Sequence, residues 1–239
     1  MSFFHEKIRK YIKAAEEGYW KSEKKYRTQF QVPVLENELK HPETNREKML
    51  LDHIRKLTRL VHQDPMTGLL HKESFMTKTE QKYGGFYLFI VGDNLKETNL
   101  KYGHEAGHAI ILGIAQGIKD VRPEFGKTLH LVTRAGGDEY MLYLEEKSLK
   151  KDVAGRWAGF ILASINGIMI GDNYQGDDPK LKAQLDKMPI SVSIGVGYTP
   201  TTAENAMKQA KATGKNKVIL ANDILQLSKQ KSRYKESMA

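Results

Sequence analysis

The run Arg134-Ala135-Gly136-Gly137-Asp138-Glu139-Tyr140 places two carboxylates directly after two glycines. Glycine permits backbone conformations and close approaches that a Cβ forbids, so such a turn can bring Asp138 and Glu139 up to a cation or a cationic partner. Alone, the run is explained nearly as well by an acidic hairpin turn with no ligand. Other polar clusters surround it, however. Upstream stand Asp64-Pro65-Met66-Thr67-Gly68-Leu69, Val91-Gly92-Asp93-Asn94-Leu95-Lys96-Glu97-Thr98-Asn99 and Tyr102-Gly103-His104-Glu105-Ala106-Gly107-His108. Downstream stand Ser191-Val192-Ser193-Ile194-Gly195-Val196 and a lysine-bearing segment, Ala206 to Asn216, with Lys211 and Lys215 one helical turn apart. Ammonium groups so placed can hold phosphate oxygens, or they can be ordinary solvated lysines at a helix end.

These residues must be positioned by a mixed α/β framework. Phe86 to Val91 is a continuous apolar run of strand length, the kind buried on both faces. Ala106, Ile110, Gly113, Ile114 and Gly117 give residues 104–120 an inward helical face. Leu129 to Thr133 and Tyr140 to Leu144 read as two strands joined across Gly136-Gly137 as a hairpin. Residues 154–165 and 203–213 predict helices and residues 190–196 a strand, with 171–187 a polar loop holding a short helix. Helix, strand, helix, hairpin, helix, strand, helix is the order of a sheet covered by helices.

The first 63 residues differ in pattern. Phe4, Ile8, Tyr11, Ile12, Ala15 and Tyr19 form one helical stripe, and Pro33 and Pro42 punctuate a linker. Thr44-Asn45-Arg46-Glu47 has capping-box spacing and opens a second helix. There Leu50, Ile54, Leu57 and Val61 recur at coiled-coil intervals over a short length. That stripe either pairs two protomers or lies against the first helix, whose matching apolar face favours packing within the chain.

Composition excludes several classes. The 239 residues contain no cysteine, which rules out disulfides, thiolate zinc sites and a cysteine nucleophile. No apolar run reaches the length of a membrane span, and the N-terminus lacks a signal-peptide core, so a cytoplasmic protein is expected. The net charge of +9 is spread as +5 over residues 1–63 and +4 over the rest. Most of the lysines alternate with glutamates as on a solvated helix face, and no nucleic-acid-reading motif accompanies them, so no specific nucleic-acid binding is expected. The anion that this charge invites is therefore a nucleotide, an acidic protein or a membrane surface.

In order and spacing, the five motifs from Asp64 to Asn216 closely resemble the GGDEF domain of bacterial diguanylate cyclases. The resemblance implies an α/β, nucleotide-cyclase-like fold with a ferredoxin-like βααββαβ core over residues 64–220. A helical N-terminal region, 1–63, precedes it with a signalling-type helix, and a basic tail, 221–239, follows. In that family two protomers each bind GTP, and each 3′-hydroxyl attacks the other's α-phosphate. Two Mg²⁺ ions held by oxygen ligands neutralise charge. The family's signature turn maps to Gly136, Gly137, Asp138, Glu139 and Tyr140, with Asp138 a metal ligand and Glu139 beside it as the catalytic pair of an active enzyme. The family's second metal ligand, five residues before the Lys that maps to Lys96, is Val91 here, and valine cannot ligate a metal. Asp93 is the candidate substitute, but two residues along a strand is roughly 6–7 Å, far beyond a magnesium bond of about 2.1 Å.

The nucleotide positions are also altered. Asn99 matches the family's guanine-contacting Asn, but His108 stands where a guanine-accepting Asp is expected. A neutral imidazole has one acceptor nitrogen and cannot replace a carboxylate, so guanine preference is expected to weaken. Lys211 and Lys215 match the positions that hold the terminal phosphates. Lys127 and His130 replace the Arg and Asp of the family's product-inhibition site. Asp64 to Leu69 is the hinge at which the domain starts, with a structural role. The resemblance thus implies a degenerate member without cyclase activity, a regulatory, scaffold or nucleotide-sensing module in cyclic-dinucleotide signalling. Such a module would be a homodimer or contact a protein partner through its N-terminal region, with Mg²⁺ held weakly if at all. The alternative is an active diguanylate, or other dinucleotide, cyclase with altered metal and base sites.

Overall fold

The computed structural model describes residues 48–49, 52–53, 61–80, 84–121, 130–145 and 151–222. The N-terminal stripe, most of the coiled-coil-spaced residues, Lys127 and all but the first two residues of the basic tail lie outside the described residues. The chain divides between Gln63 and Asp64 into two units, and the second carries the fold.

That unit runs β1 (Leu70–His71), α1 (Lys72–Thr79), β2 (Phe86–Gly92), α2 (Leu95–Tyr102), α3 (His104–Asp120), β3 (His130–Gly136), β4 (Glu139–Leu144), α4 (Lys151–Asn166), a 3₁₀ turn (Ile170–Asn173), α5 (Pro179–Leu185), β5 (Val192–Gly197), α6 (Pro200–Ala212) and β6 (Val218–Leu220). The six strands form one sheet in the order β1-β3-β4-β2-β5-β6. Its four central strands are antiparallel, and β1 and β6 join the edges in parallel. The β2-α2-α3-β3-β4-α4-β5 segment is the expected ferredoxin-like core.

The apolar run FYLFIVG becomes the strand hydrogen-bonded on both sides, to β4 and β5. Its side chains alternate between two cores, as strand geometry requires. Phe86, Leu88 and Ile90 join Ile114, Ile161 and Ile165 beneath α3 and α4. Phe89 and Val91 join Phe75, Met141, Ala203 and Met207 beneath α1 and α6. A Cβ on Gly195 would lie 2.1 Å from the backbone of Ala203 and Met207, so α6 rests directly on β5.

The hairpin differs from the expectation at its turn. β3 does not end at Thr133 but continues to Gly136. The register shifts between Arg134, opposite Tyr140, and Gly136, opposite Glu139. This bulge lets the ladder reach the signature turn and re-aims the side chains beyond it. Edge strands β1 and β6 have two and three residues, too few to display a period. Helix α2 also escaped the pattern reading because, of its eight residues, only Thr98 is buried. The polar 171–187 segment contains α5, whose N-cap Asp178 accepts hydrogen bonds from the Lys180 and Leu181 amides, with Pro179 in the first turn.

Candidate functional site

The C-terminal end of β2, the β3–β4 turn, α2, the start of α3 and the end of α6 enclose a groove of about 560 Å³. Gly137, at φ 50°, takes the left-handed conformation that the tight turn needs. The turn carries Asp138 across to β2, where the Gly92 amide donates to the Asp138 carbonyl at 3.2 Å. A Cβ on Gly92 would lie 2.7 Å from Asp138 Oδ2, so the carboxylate occupies space that only glycine leaves open. Burial pushes the Asp138 carboxyl above its ordinary pKa, and the Asp93 charge adds to the rise. The Asp138 backbone amide and the Lys211 and Arg134 charges only partly offset it. Glu139 is exposed at the first position of β4, opposite Val91 in register.

Val91 is buried, 3% exposed, among the apolar side chains beneath α1 and α6 and does not line the groove. Asp93 is also buried, but each of its oxygens is engaged. Ser191 Oγ donates to Oδ2 at 2.5 Å, Ser193 Oγ to Oδ1 at 2.6 Å, and the Asn216 amide to Oδ2 at 3.0 Å. The two lysines are held on the same strand end. Lys211 Nζ donates to the Gly92 carbonyl at 3.0 Å, and Lys215 Nζ to the Asp93 carbonyl at 3.0 Å and to Asn94 Oδ1 at 2.9 Å. Lys215 and Asn216 both have positive φ, 60° and 45°, a conformation that costs a non-glycine residue roughly 1–2 kcal/mol. The Asp93 and Asn94 bonds, with Asn166 Nδ2 donating to Asn216 Oδ1 at 2.9 Å, hold them there.

Asn99 lines the groove from α2. A Cβ on Gly107 would lie 1.9 Å from its Oδ1, so the amide fits against α3 only because residue 107 is glycine. That oxygen is buried without a hydrogen-bond partner. His108 is exposed on α3 and is not among the groove residues, whereas His104 is. Four residues along a helix is about 6 Å, which separates the first turn, beside the groove, from the second. Leu95, Lys96, Glu97 and Leu100 complete the lining. Of these, only Leu100 lies outside the sequence motifs, and His104 lies within one, at the first position of a helix directly after Gly103. Tyr140, fully buried, donates its hydroxyl to the Ile111 carbonyl at 2.6 Å, fastening β4 to α3. The side chains at 127 and 130 lie outside the described residues.

The donors present do not fit a two-magnesium site. Among the described residues no three His, Asp or Glu side chains gather as metal ligands. The Val91 side chain offers no oxygen, both Asp93 carboxylate oxygens already accept hydrogen bonds, and the Gly92 carbonyl accepts from an ammonium group. What lines the groove is the half-buried Asp138 carboxylate, the exposed Glu97 carboxylate and the fully engaged Asp93, with the Asn99 amide and the ammonium groups of Lys96 and Lys211.

An antiparallel ferredoxin-like core with a Gly-Gly-Asp-Glu hairpin at the end of its central strand defines a nucleotide-cyclase-like domain. The chain belongs to the diguanylate cyclase GGDEF domain family, whose model matches residues 56–217. Among its relatives, the biofilm architecture maintenance protein MbaA of Vibrio cholerae is 26% identical over 186 residues, covering 70% of this chain and 22% of that protein. The diguanylate cyclase DgcN of Escherichia coli is 31% identical over 104 residues, 41% of this chain and 24% of that protein. An uncharacterized membrane protein of Staphylococcus epidermidis is 25% identical, over 69% of this chain and 47% of its own length. The chain thus spans less than half the length of these relatives. Among solved structures, the isolated GGDEF domain of TpbB (YfiN) from Pseudomonas aeruginosa is 26% identical with a TM-score of 0.50, covering 70% of this chain and 99% of that one. The coiled coil and GGDEF domain of DgcB from Caulobacter crescentus, in complex with c-di-GMP, shares the fold at 19% identity and a TM-score of 0.53, covering 73% of this chain and 93% of that one. No described helix is long and apolar enough to cross a membrane.

Proposed function

We propose that this chain is a GGDEF module of cyclic-dinucleotide signalling that binds a nucleotide and does not cyclise it. The observation that carries this reading is the burial of Val91 in the core beneath α1 and α6, at the end of the strand where a cyclase needs a metal-ligating carboxylate. Phosphoryl transfer depends on charge neutralisation around the phosphates. Asp138 alone is a single carboxylate for the Mg²⁺ ions that supply that neutralisation in a cyclase, and Asp93 serves to hold the Lys215-Asn216 turn. Asn99, Asp138 and Lys211, with His104, form the binding set that lines the groove; Lys215 adjoins it at the end of β2, and His108 lies outside it. The chain acts by regulation or scaffolding. The coiled-coil spacing of Leu50, Ile54, Leu57 and Val61 supports dimerisation or partner contact through residues 1–63.

The test is incubation of the purified chain with GTP, ATP or both in Mg²⁺ or Mn²⁺, followed by mass spectrometry for cyclic dinucleotides. None is expected. Turnover that disappears when Asp138 and Glu139 are changed to Ala would overturn the proposal and leave the chain an active cyclase with altered metal geometry.

A further inference from the structure

Strand β6 closes one edge of the sheet and is paired with β5. It runs antiparallel to α4. Asn216, just before the strand, bonds to Asn166 at the end of that helix, whereas Leu220 lies beside Gly155 near its start. A Cβ on Gly155 would meet only Leu220 Cδ1, at 3.9 Å, and among the described residues nothing lies within 4 Å of one on Gly159. The two glycines leave a shallow trough along α4, with the half-buried Leu162, Val218 and Leu220 as its apolar walls. The chain leaves this trough at its Leu220 end. Ala221 still donates its amide to the Val196 carbonyl at 2.8 Å, and Asn222 has helical backbone. Residues 223–239 follow. At helical spacing, Ile224, Leu225 and Leu227 fall on one side, and Asp223, Gln226 and Lys229 on the other. Two helical turns reach about 11 Å, and Gly155 and Gly159 stand about 6 Å apart along α4. The apolar side of these turns matches the trough in length, polarity and starting point.

We propose that residues 223–228 turn back along α4 and seat Ile224, Leu225 and Leu227 in the trough, a clasp over the open edge of the sheet. An uncovered strand edge is a template for pairing with another chain, so the clasp guards β6 while removing three apolar side chains from water. The occupant is the chain's own segment because it is tethered at Asn222, and a short tether gives an effective concentration on the order of millimolar.

The test is hydrogen exchange of the full chain, followed by mass spectrometry. Amides of residues 223–228 are expected to exchange at least about tenfold more slowly than those of residues 232–239, since two helical turns without a docking surface give almost no protection. Gly159→Glu, with its circular dichroism unchanged, sets a carboxylate in the trough and is expected to abolish that protection. Its charge attracts the basic run from Lys229 to Lys235, so the loss reports the apolar seat and not electrostatics. Leu227→Asp, which leaves α4 untouched, is expected to do the same. Exchange at 223–228 as fast as at the chain end, or protection that survives either variant, overturns the proposal. Protection that vanishes on roughly 100-fold dilution of the protein also overturns it, and assigns the trough to a second copy of the chain.

Discussion

Arg134 Nη1 lies 3.1 Å from Asp64 Oδ2, joining residues 70 positions apart in the chain, and both side chains are largely buried. The same guanidinium donates through Nε to the Gly137 carbonyl at 2.8 Å. Asp64 in turn accepts from the Thr67 amide at 2.8 Å and the Thr67 hydroxyl at 2.7 Å. One arginine thus ties the first residue of the folded unit to the turn that presents Asp138. Arg134→Gln is expected to cost about 1–3 kcal/mol in urea unfolding, as expected for hydrogen bonds to a charged group in a partly buried site. A double-mutant cycle with Asp64→Asn should show coupling of the two residues, and strict additivity would refute the link.

The two carboxylates should respond to pH with opposite signs. Burial pushes the Asp64 carboxyl up, but the Thr67 hydrogen bonds and the Arg134 charge outweigh it and hold its pKa below the ordinary 3.8. A lowered folded pKa means stability that is fully present above 3.8 and lost as pH falls through the folded value. The stability gap between the native chain and Asp64→Asn should therefore be full at neutral pH and close in acid. Burial raises Asp138, so its contribution is present below the ordinary value and lost as pH rises through the folded one. Asp138→Asn is expected to raise Tm at neutral pH by roughly 1–3 °C, with no gain in acid. Thermal melts across pH 2–7, taken as about the usual carboxylate range, check both signs.

Asp93→Asn should be among the most damaging single changes at the groove. The carboxylate accepts from two serine hydroxyls and a backbone amide, and an amide nitrogen would confront one of those donors. A loss of about 2–4 kcal/mol in urea unfolding is expected, with faster hydrogen exchange at Lys215 and Asn216. A loss no greater than that of an ordinary surface substitution would show that the network does not hold the turn.

Gly107→Ala places a methyl 1.9 Å from Asn99 Oδ1. Asn99 must move, because the obstruction is a planar amide wedged against α3. Overpacking of this kind costs about 1–3 kcal/mol, and nucleotide affinity should fall with it if Asn99 contacts the base. Stability measured by urea and affinity measured by calorimetry separate the two effects. A Gly107→Ala protein with native stability and native affinity would refute the contact.

The sequence by itself determined the family and the main strands and helices, because those depend on local pattern, but not α2 or the short edge strands β1 and β6. The unbroken apolar run from Phe86 to Val91 marked the central strand, since only a strand buried on both faces can do without polar positions. The Gly-Gly-Asp-Glu turn, its order among the flanking motifs and the valine at position 91 were equally legible along the chain. Only the tertiary structure decided how Asp93 is used, since its partners Ser191, Ser193 and Asn216 come from segments about a hundred residues away. Only the tertiary structure seated Lys211 and Lys215 on the Gly92 and Asp93 carbonyls. It also put His104, not His108, beside the groove. Periodicity specifies which face of a helix or strand is apolar. The end of the element at which a groove opens, and the partners that satisfy its polar groups, are fixed only when the sheet and helices pack.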